Sequence, residues 1–117
     1  MESILTSIKK PLGISEEQTD FDDDIVMYIN TVFAVLTQIG AGPSEGYAIQ
    51  SASNTWGEYT ENVMLMSLVK SYIEKKVRMV FDPPTSSAHM DALKSAIDEL
   101  EWRINTTVET GLWNSKS

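Results

Sequence analysis

The sequence predicts an all-α fold: a small bundle of about four helices, with a long loop between the second and third and a short C-terminal tail. Three observations predict it. Apolar residues recur at spacings of three and four over four separate stretches, the period of a helix that buries one face. Glycine and proline punctuate the ends of those stretches, where helices stop. Almost nothing alternates with the period of a strand. The length of 117 residues, with 42% apolar and 22% charged residues, suits one domain that buries a single core without disulfides or a metal. The organisation expected is a helical domain over residues 1–110 and a tail over residues 111–117.

The first helix is short, at about residues 2–10: Ile4, Leu5 and Ile8 share a face, Leu12 extends it, and Pro11 and Gly13 end it. A polar run over residues 15–24 follows. Thr19 or Asp20 can cap a second helix starting near Phe21, with Asp22, Asp23 and Asp24 in its first turn, where the macrodipole favours negative charge. Ile25, Tyr28, Ile29, Val32, Phe33, Leu36 and Ile39 form its apolar face, and Gly40 terminates it as a left-handed residue.

Residues 40–60 hold Gly40, Gly42, Pro43, Gly46 and Gly57 among Ser, Asn and Thr, a composition expected to form loop and no helix. Tyr47, Ile49, Trp56 and Tyr59 give that loop enough apolar surface to pack, so it is expected to be ordered at least in part.

The third helix runs from Glu61 or Asn62 to Phe81, with Leu65, Leu68, Val69, Tyr72, Ile73, Val77, Val80 and Phe81 on its buried side. Asp82 precedes Pro83 and Pro84 and is pushed out of the helical region, which makes a rigid reversal. Ser86 or Ser87 caps the fourth helix. Its seam is Met90, Leu93, Ile97, Leu100, Ile104 and Val108, with Trp102 off the stripe and Gly111 at the end. The core expected from the second, third and fourth helices is Ile29, Phe33, Leu36, Val69, Ile73, Val77, Leu93, Ile97, Leu100 and Ile104.

Composition excludes several classes of function. The chain has no cysteine, which removes disulfides, thiolate metal sites and cysteine nucleophiles and suits a reducing compartment. Nine Lys and Arg against seventeen Asp and Glu give a net charge of −8, the opposite of a footprint that grips nucleic acid by its phosphates. Lys9 and Lys10 follow the first apolar positions instead of preceding an apolar block, and no apolar run approaches the roughly 20 residues that cross a bilayer. A soluble protein without a signal peptide or membrane partner is expected.

Groups for catalysis are few. His89 is the single imidazole and flanks the fourth helix's seam without a nucleophile or metal cluster beside it, so no role is assigned to it. Asp20, Asp22 and Asp24 imitate the start of a calcium loop, but Ile25 stands where glycine is required and Thr31 where glutamate is required. They read as first-turn helix acids. No dinucleotide, P-loop, nucleophile-elbow or zincin pattern occurs. Neither an enzyme, a cofactor nor a metal is expected.

The uneven charge distribution is more informative. Glu16, Glu17, Asp20, Asp22, Asp23 and Asp24 lie together without a base, whereas Lys70, Lys75, Lys76 and Arg78 on the third helix face the single acid Glu74. Either cluster can be a solvated face, and an acidic patch and a basic patch on different helices are also what a heterologous, ring-forming contact would use. Leu112 and Trp113 add a second clue. In so short a tail they either fold back on the helices or anchor in another protein.

The order of elements resembles the small head-tail connector proteins, or adaptors, that sit beneath the portal ring of tailed bacteriophages. The likeness is carried by the short first helix ending in Pro11-Leu12-Gly13-Ile14, the acidic segment leading into Ile25-Val26-Met27-Tyr28-Ile29-Asn30, and the loop beginning Ile39-Gly40-Ala41-Gly42-Pro43. Further along, Val69-Lys70-Ser71-Tyr72-Ile73, then Val77 through Pro84, Ser86-Ser87 and Leu100-Glu101-Trp102-Arg103 resemble members from phages and prophages of Gram-positive bacteria. The resemblance implies a non-enzymatic helical subunit of a homo-oligomeric ring, commonly dodecameric. It also implies a C-terminal segment that reaches the portal protein, an opposite face that receives the next connector or tail-completion protein, and a channel that DNA crosses without being read. Virion neck, with host cytoplasm during assembly, is the location implied. Within that reading the portal-binding residues are Leu112 and Trp113, and the inter-subunit residues are Asp20, Asp22, Asp23, Asp24, Lys70, Lys75, Lys76 and Arg78. A small helical regulatory or protein-binding module, using the loop and Trp113, is the reading of a different class.

Overall fold

A computed structural model describes residues 2–110 and is all-α, with no strand among them. The elements are α1 (Ile4–Lys9), a 3-10 turn (Lys10–Leu12), α2 (Asp22–Gln38), α3 (Trp56–Tyr59), α4 (Val63–Phe81) and α5 (Ser87–Thr110). The third and fourth predicted helices are therefore α4 and α5. Leu112, Trp113 and the rest of the tail lie outside the described residues.

Helix ends follow from local chemistry. Ser3 caps α1 by accepting from the Thr6 amide at 3.2 Å, Asn62 caps α4 through the Leu65 amide at 2.9 Å, and Ser86 accepts from the His89 amide at 3.1 Å. At the end of α2 the Gly40 amide bonds Thr37 O at 3.0 Å and the Ala41 amide bonds Leu36 O at 2.9 Å. This pattern needs the left-handed backbone that Gly40 adopts at φ +90°, and it brings the apolar pair Ala41 and Leu36 together. Asp82, at φ −152° and ψ 61°, has left the helical region before Pro83 as expected.

α4 is the central helix. α1 and α2 pack on it, α1 also touches α2, and α5 lies against it as an antiparallel hairpin, which gives a slab of 41 × 34 × 20 Å. Ile29, Phe33, Leu36, Val69, Ile73, Val77, Leu93, Ile97 and Ile104 are all buried as predicted, while Leu100 is half-buried at the edge of α5. Ile4, Ile8, Ile25, Trp56, Leu65 and Tyr72 complete the core, so α1 contributes more to it than the predicted three-helix centre allowed.

Two local expectations are corrected. α2 has Phe21 at its N-cap with no side-chain bond, and neither Thr19 nor Asp20 caps it: the Thr19 carbonyl accepts the Asp22 amide at 3.2 Å, and the Asp22 carboxylate is turned to Lys9. The loop does hold one helical turn, because Trp56 and Tyr59 three residues apart both bury against the core and draw the chain between them into α3.

The rest of residues 40–60 is ordered by side chains that replace a regular ladder. Asn30 on α2 bonds Ile49 in both directions, accepting from its amide at 2.7 Å and donating to its carbonyl at 2.9 Å. Asn54 accepts from the Gln50 amide at 2.7 Å and donates to Glu58 at 3.0 Å. The Ile4 amide bonds Asn54 O and the Trp56 amide bonds Glu2 O, so the N-terminal strand-like segment clamps the loop from outside. Within this closure Phe33 meets the rings of Tyr47, Trp56 and Tyr59 at centroid distances of 5.1, 6.3 and 4.8 Å. Gly42 permits it, since a Cβ there would lie 2.6 Å from the Tyr59 ring, on a backbone at φ +81°.

Candidate functional site

The charged residues singled out in the sequence are placed in different ways on this slab, most of them on its surface. Lys9 is buried on α1 at 3% exposure and forms an ion pair with Asp22 at 2.8 Å, while its ammonium also donates to Gln18 O at 2.8 Å. Asp22 is thereby used to fasten α1 to the start of α2. Asp20, Asp23 and Asp24 remain on the exposed surface around it.

The basic residues of α4 do not form one patch. Lys70 reaches back to Glu2 at 2.6 Å, Lys75 lies 3.7 Å from its neighbour Glu74, and the Lys76 ammonium sits 5.9 Å from the Tyr72 ring centroid. Arg78 is exposed without an ion-pair partner among the described residues. With Lys75 it edges a groove of about 340 Å³ between α4 and α5 whose floor includes Pro84, Ala92 and Leu93. The predicted inter-subunit bases are thus split, with Lys75 and Arg78 on the groove and Lys70 and Lys76 committed elsewhere.

Several exposed apolar residues accompany these charges. Among the described residues Trp102 is the largest of these, 62% exposed on α5 and opposite the buried positions Ile97 and Ile104. Arg103 stacks over its ring at 5.8 Å and pairs with Glu99 at 2.9 Å. The sequence marks Trp102 as off the seam, the one signal for it, and gives no reason to select it further. A second apolar groove, about 280 Å³, lies near the same C-terminal end of α4, lined by Leu12, Ile14, Phe21 and Phe81, with Asp82 on its rim.

Three tyrosines, Tyr47, Tyr59 and Tyr72, have their phenols shifted upward. Burial pushes the Tyr47 phenol up to about 12, with the adjacent Glu58 carboxylate adding its charge and a hydrogen bond. Burial likewise raises Tyr59 and Tyr72, the latter also through its 2.8 Å hydrogen bond to Glu101. No group of three or more His, Asp or Glu able to hold a metal ion occurs among the described residues, and His89 is exposed. The arrangement offers surfaces for other macromolecules, with charge and aromatic anchors as its chemistry.

A scan against family models decides the matter, because the model for phage connector protein matches residues 4–111, from the start of α1 to just past the end of α5. The chain belongs to the phage connector family. The match covers every helix described above and carries with it a structural role in the phage neck. Connector proteins are a structural and not an enzymatic family, and their partners are portal and tail components of the virion. No curated protein and no solved structure matches the chain. No helix among the described residues is long and apolar enough to cross a membrane.

Proposed function

We infer that this connector protein assembles as a closed ring of identical subunits between the portal and the tail-side connector components, leaving a channel that DNA crosses unread. The observation that carries the reading is the family match over residues 4–111, which spans the whole helical slab. The charge supports it: no Lys or Arg occurs between Lys10 and Lys70, and the net charge is −8, so a channel surface drawn from that stretch would not hold phosphates. The resemblance implies a ring of the commonly dodecameric kind, of the type in Gram-positive phages and prophages. Assembly takes place in the host cytoplasm before the subunit joins the virion neck.

Neighbouring subunits meet through different surfaces, a heterologous contact that closes by rotation. One side is drawn from the bases of α4, Lys75 and Arg78 at the groove, with Lys70 and Lys76 on the same helix beside Glu2 and Tyr72. Two acidic surfaces are available on the next subunit: the segment with Asp20, Asp23 and Asp24, and the outer face of α5. Asp22 contributes through its ion pair with Lys9, which fixes the acidic segment in place. Lys75→Glu combined with Lys76→Glu should weaken assembly, and reversing acids on the partner surface should restore part of it.

The tail residues Leu112 and Trp113 anchor the ring on the portal protein, and the opposite face receives the next connector or tail-completion protein. An indole and a leucine are worth roughly 1.5 to 3 kcal/mol each when buried at a partner surface, and a ring repeats that contact with every subunit. Deleting residues 111–117 should leave the melting temperature of the isolated subunit almost unchanged and abolish its association with portal. A large fall in that temperature would place Trp113 in the subunit's own core and end the anchor reading.

A further inference from the structure

We propose that Trp102 of one subunit seats in the α4–α5 groove of the next, between Lys75 and Arg78, and is the apolar anchor of the ring contact. The inference rests on the ring reading above and names the residues that would make the contact. Trp102 has 62% of its surface in water and points away from the core of its own subunit. An indole so placed, with an arginine stacked on it, is the residue combination most enriched where binding energy concentrates at interfaces.

Charge selects the occupant and the acceptor. Around Trp102 on α5 lie Asp98, Glu99 and Glu101 with the single base Arg103, so its surroundings are net negative. Asp98 is exposed and has no ion-pair partner among the described residues. The groove between α4 and α5 has the opposite character: an apolar floor of Pro84, Ala92 and Leu93 beneath Lys75, Arg78 and His89, with Arg78 equally unpartnered. Docking would pair Asp98 with Arg78 across the interface and lay the indole on small side chains, where a guanidinium edge can also meet its face. The neighbouring groove at the C-terminal end of α4 is apolar too, but Asp82, of the same sign as the Trp102 surroundings, lines that groove and not the one between α4 and α5. Knob and groove occupy different faces of α5, so one subunit can offer both at once and the contact is head-to-tail.

Two variants separate this contact from its alternatives. Trp102→Ala removes the knob, and Lys75→Glu with Arg78→Glu removes the groove's charge; both sites are on the surface, and unchanged thermal midpoints would show that the fold is kept. Measured by sedimentation velocity, each variant alone should associate about 30-fold more weakly than the unmodified chain, the loss typical of a central aromatic anchor. An equimolar mixture of the two should form one-to-one dimers that grow no further, because only one intact knob and one intact groove remain. Adding Asp98→Arg to Arg78→Glu should recover assembly, whereas recovery by Asp23→Lys and Asp24→Lys instead would assign the basic groove to the acidic segment and overturn the proposal. Variants that assemble as well as the unmodified chain would also overturn it while leaving the ring reading intact. An unmodified chain that never self-associates would remove the ring and this contact together.

Discussion

The indole N–H of Trp56 donates to the hydroxyl of Ser7 at 2.9 Å, joining the loop to α1 across 49 residues of chain. Both groups are buried, and Ser7 in turn donates to Ile4 O at 2.8 Å, so the hydroxyl accepts one bond and donates another. Ser7→Ala leaves the indole N–H unpaired in the core and should cost about 1 to 3 kcal/mol. Denaturant midpoints measure the loss. An unchanged midpoint would show that the loop is held by its rings alone.

Among the described residues, Lys9 and Asp22 form the one ion pair whose cation is buried, with Lys9 at 3% exposure. Breaking it by Lys9→Met strands the Asp22 carboxylate beside an apolar chain and should cost about 3 kcal/mol, of which a second change, Asp22→Leu, should return most. Equal and additive effects of the two changes would mean that the pair is not coupled.

Among the described residues the buried Tyr59 hydroxyl has no hydrogen-bond partner. Tyr59→Phe removes that unsatisfied group while keeping the ring against Phe33 and Gly42, and should stabilise the protein by about 1 kcal/mol. A destabilised variant would reveal a partner for the hydroxyl.

Stability should depend on pH in the alkaline range. Tyr47 titrates near its ordinary value of 10 when unfolded and is pushed up to about 12 in the fold, so folding favours the protonated phenol. Its contribution is complete below about pH 10 and is lost as the pH rises toward about 12, and Tyr59 and Tyr72 act with the same sign. Thermal midpoints followed upward from neutral pH should hold level and then fall, with a shallower fall in Tyr47→Phe.

Ile73 is fully buried on α4, whereas Leu100 is half-buried at the rim of α5. Ile73→Ala should cost about 2 to 5 kcal/mol, and Leu100→Ala clearly less. Equal losses would place α5 deeper than the structure does.

Most of the fold was legible because helical periodicity and end signals agree: Asn62, Ser86, Gly40 and Pro83 each stop or start a helix where their chemistry requires it. The contacts that order the loop were not legible. Asn30 reaches Ile49 and Ser7 reaches Trp56 over 19 and 49 residues, and no local pattern announces such pairs. The turn Trp56–Tyr59 escaped for the same reason, since burial against Phe33 outweighs the glycine at its centre. For the surface, residue type and charge were legible but allegiance was not. Asp22 and Lys70 turn inward or backward to Lys9 and Glu2, and the apolar floor beneath Arg78 exists only once α4 and α5 are paired.

The central claim is that this connector protein works as a ring on the portal, and the mass of its assemblies tests that claim most directly. Light scattering on the full chain, alone and mixed with the portal protein of its phage, should show a discrete multi-subunit species whose mass stops rising as more chain is added. A single-copy protein at every concentration, with no association with portal, would contradict the account.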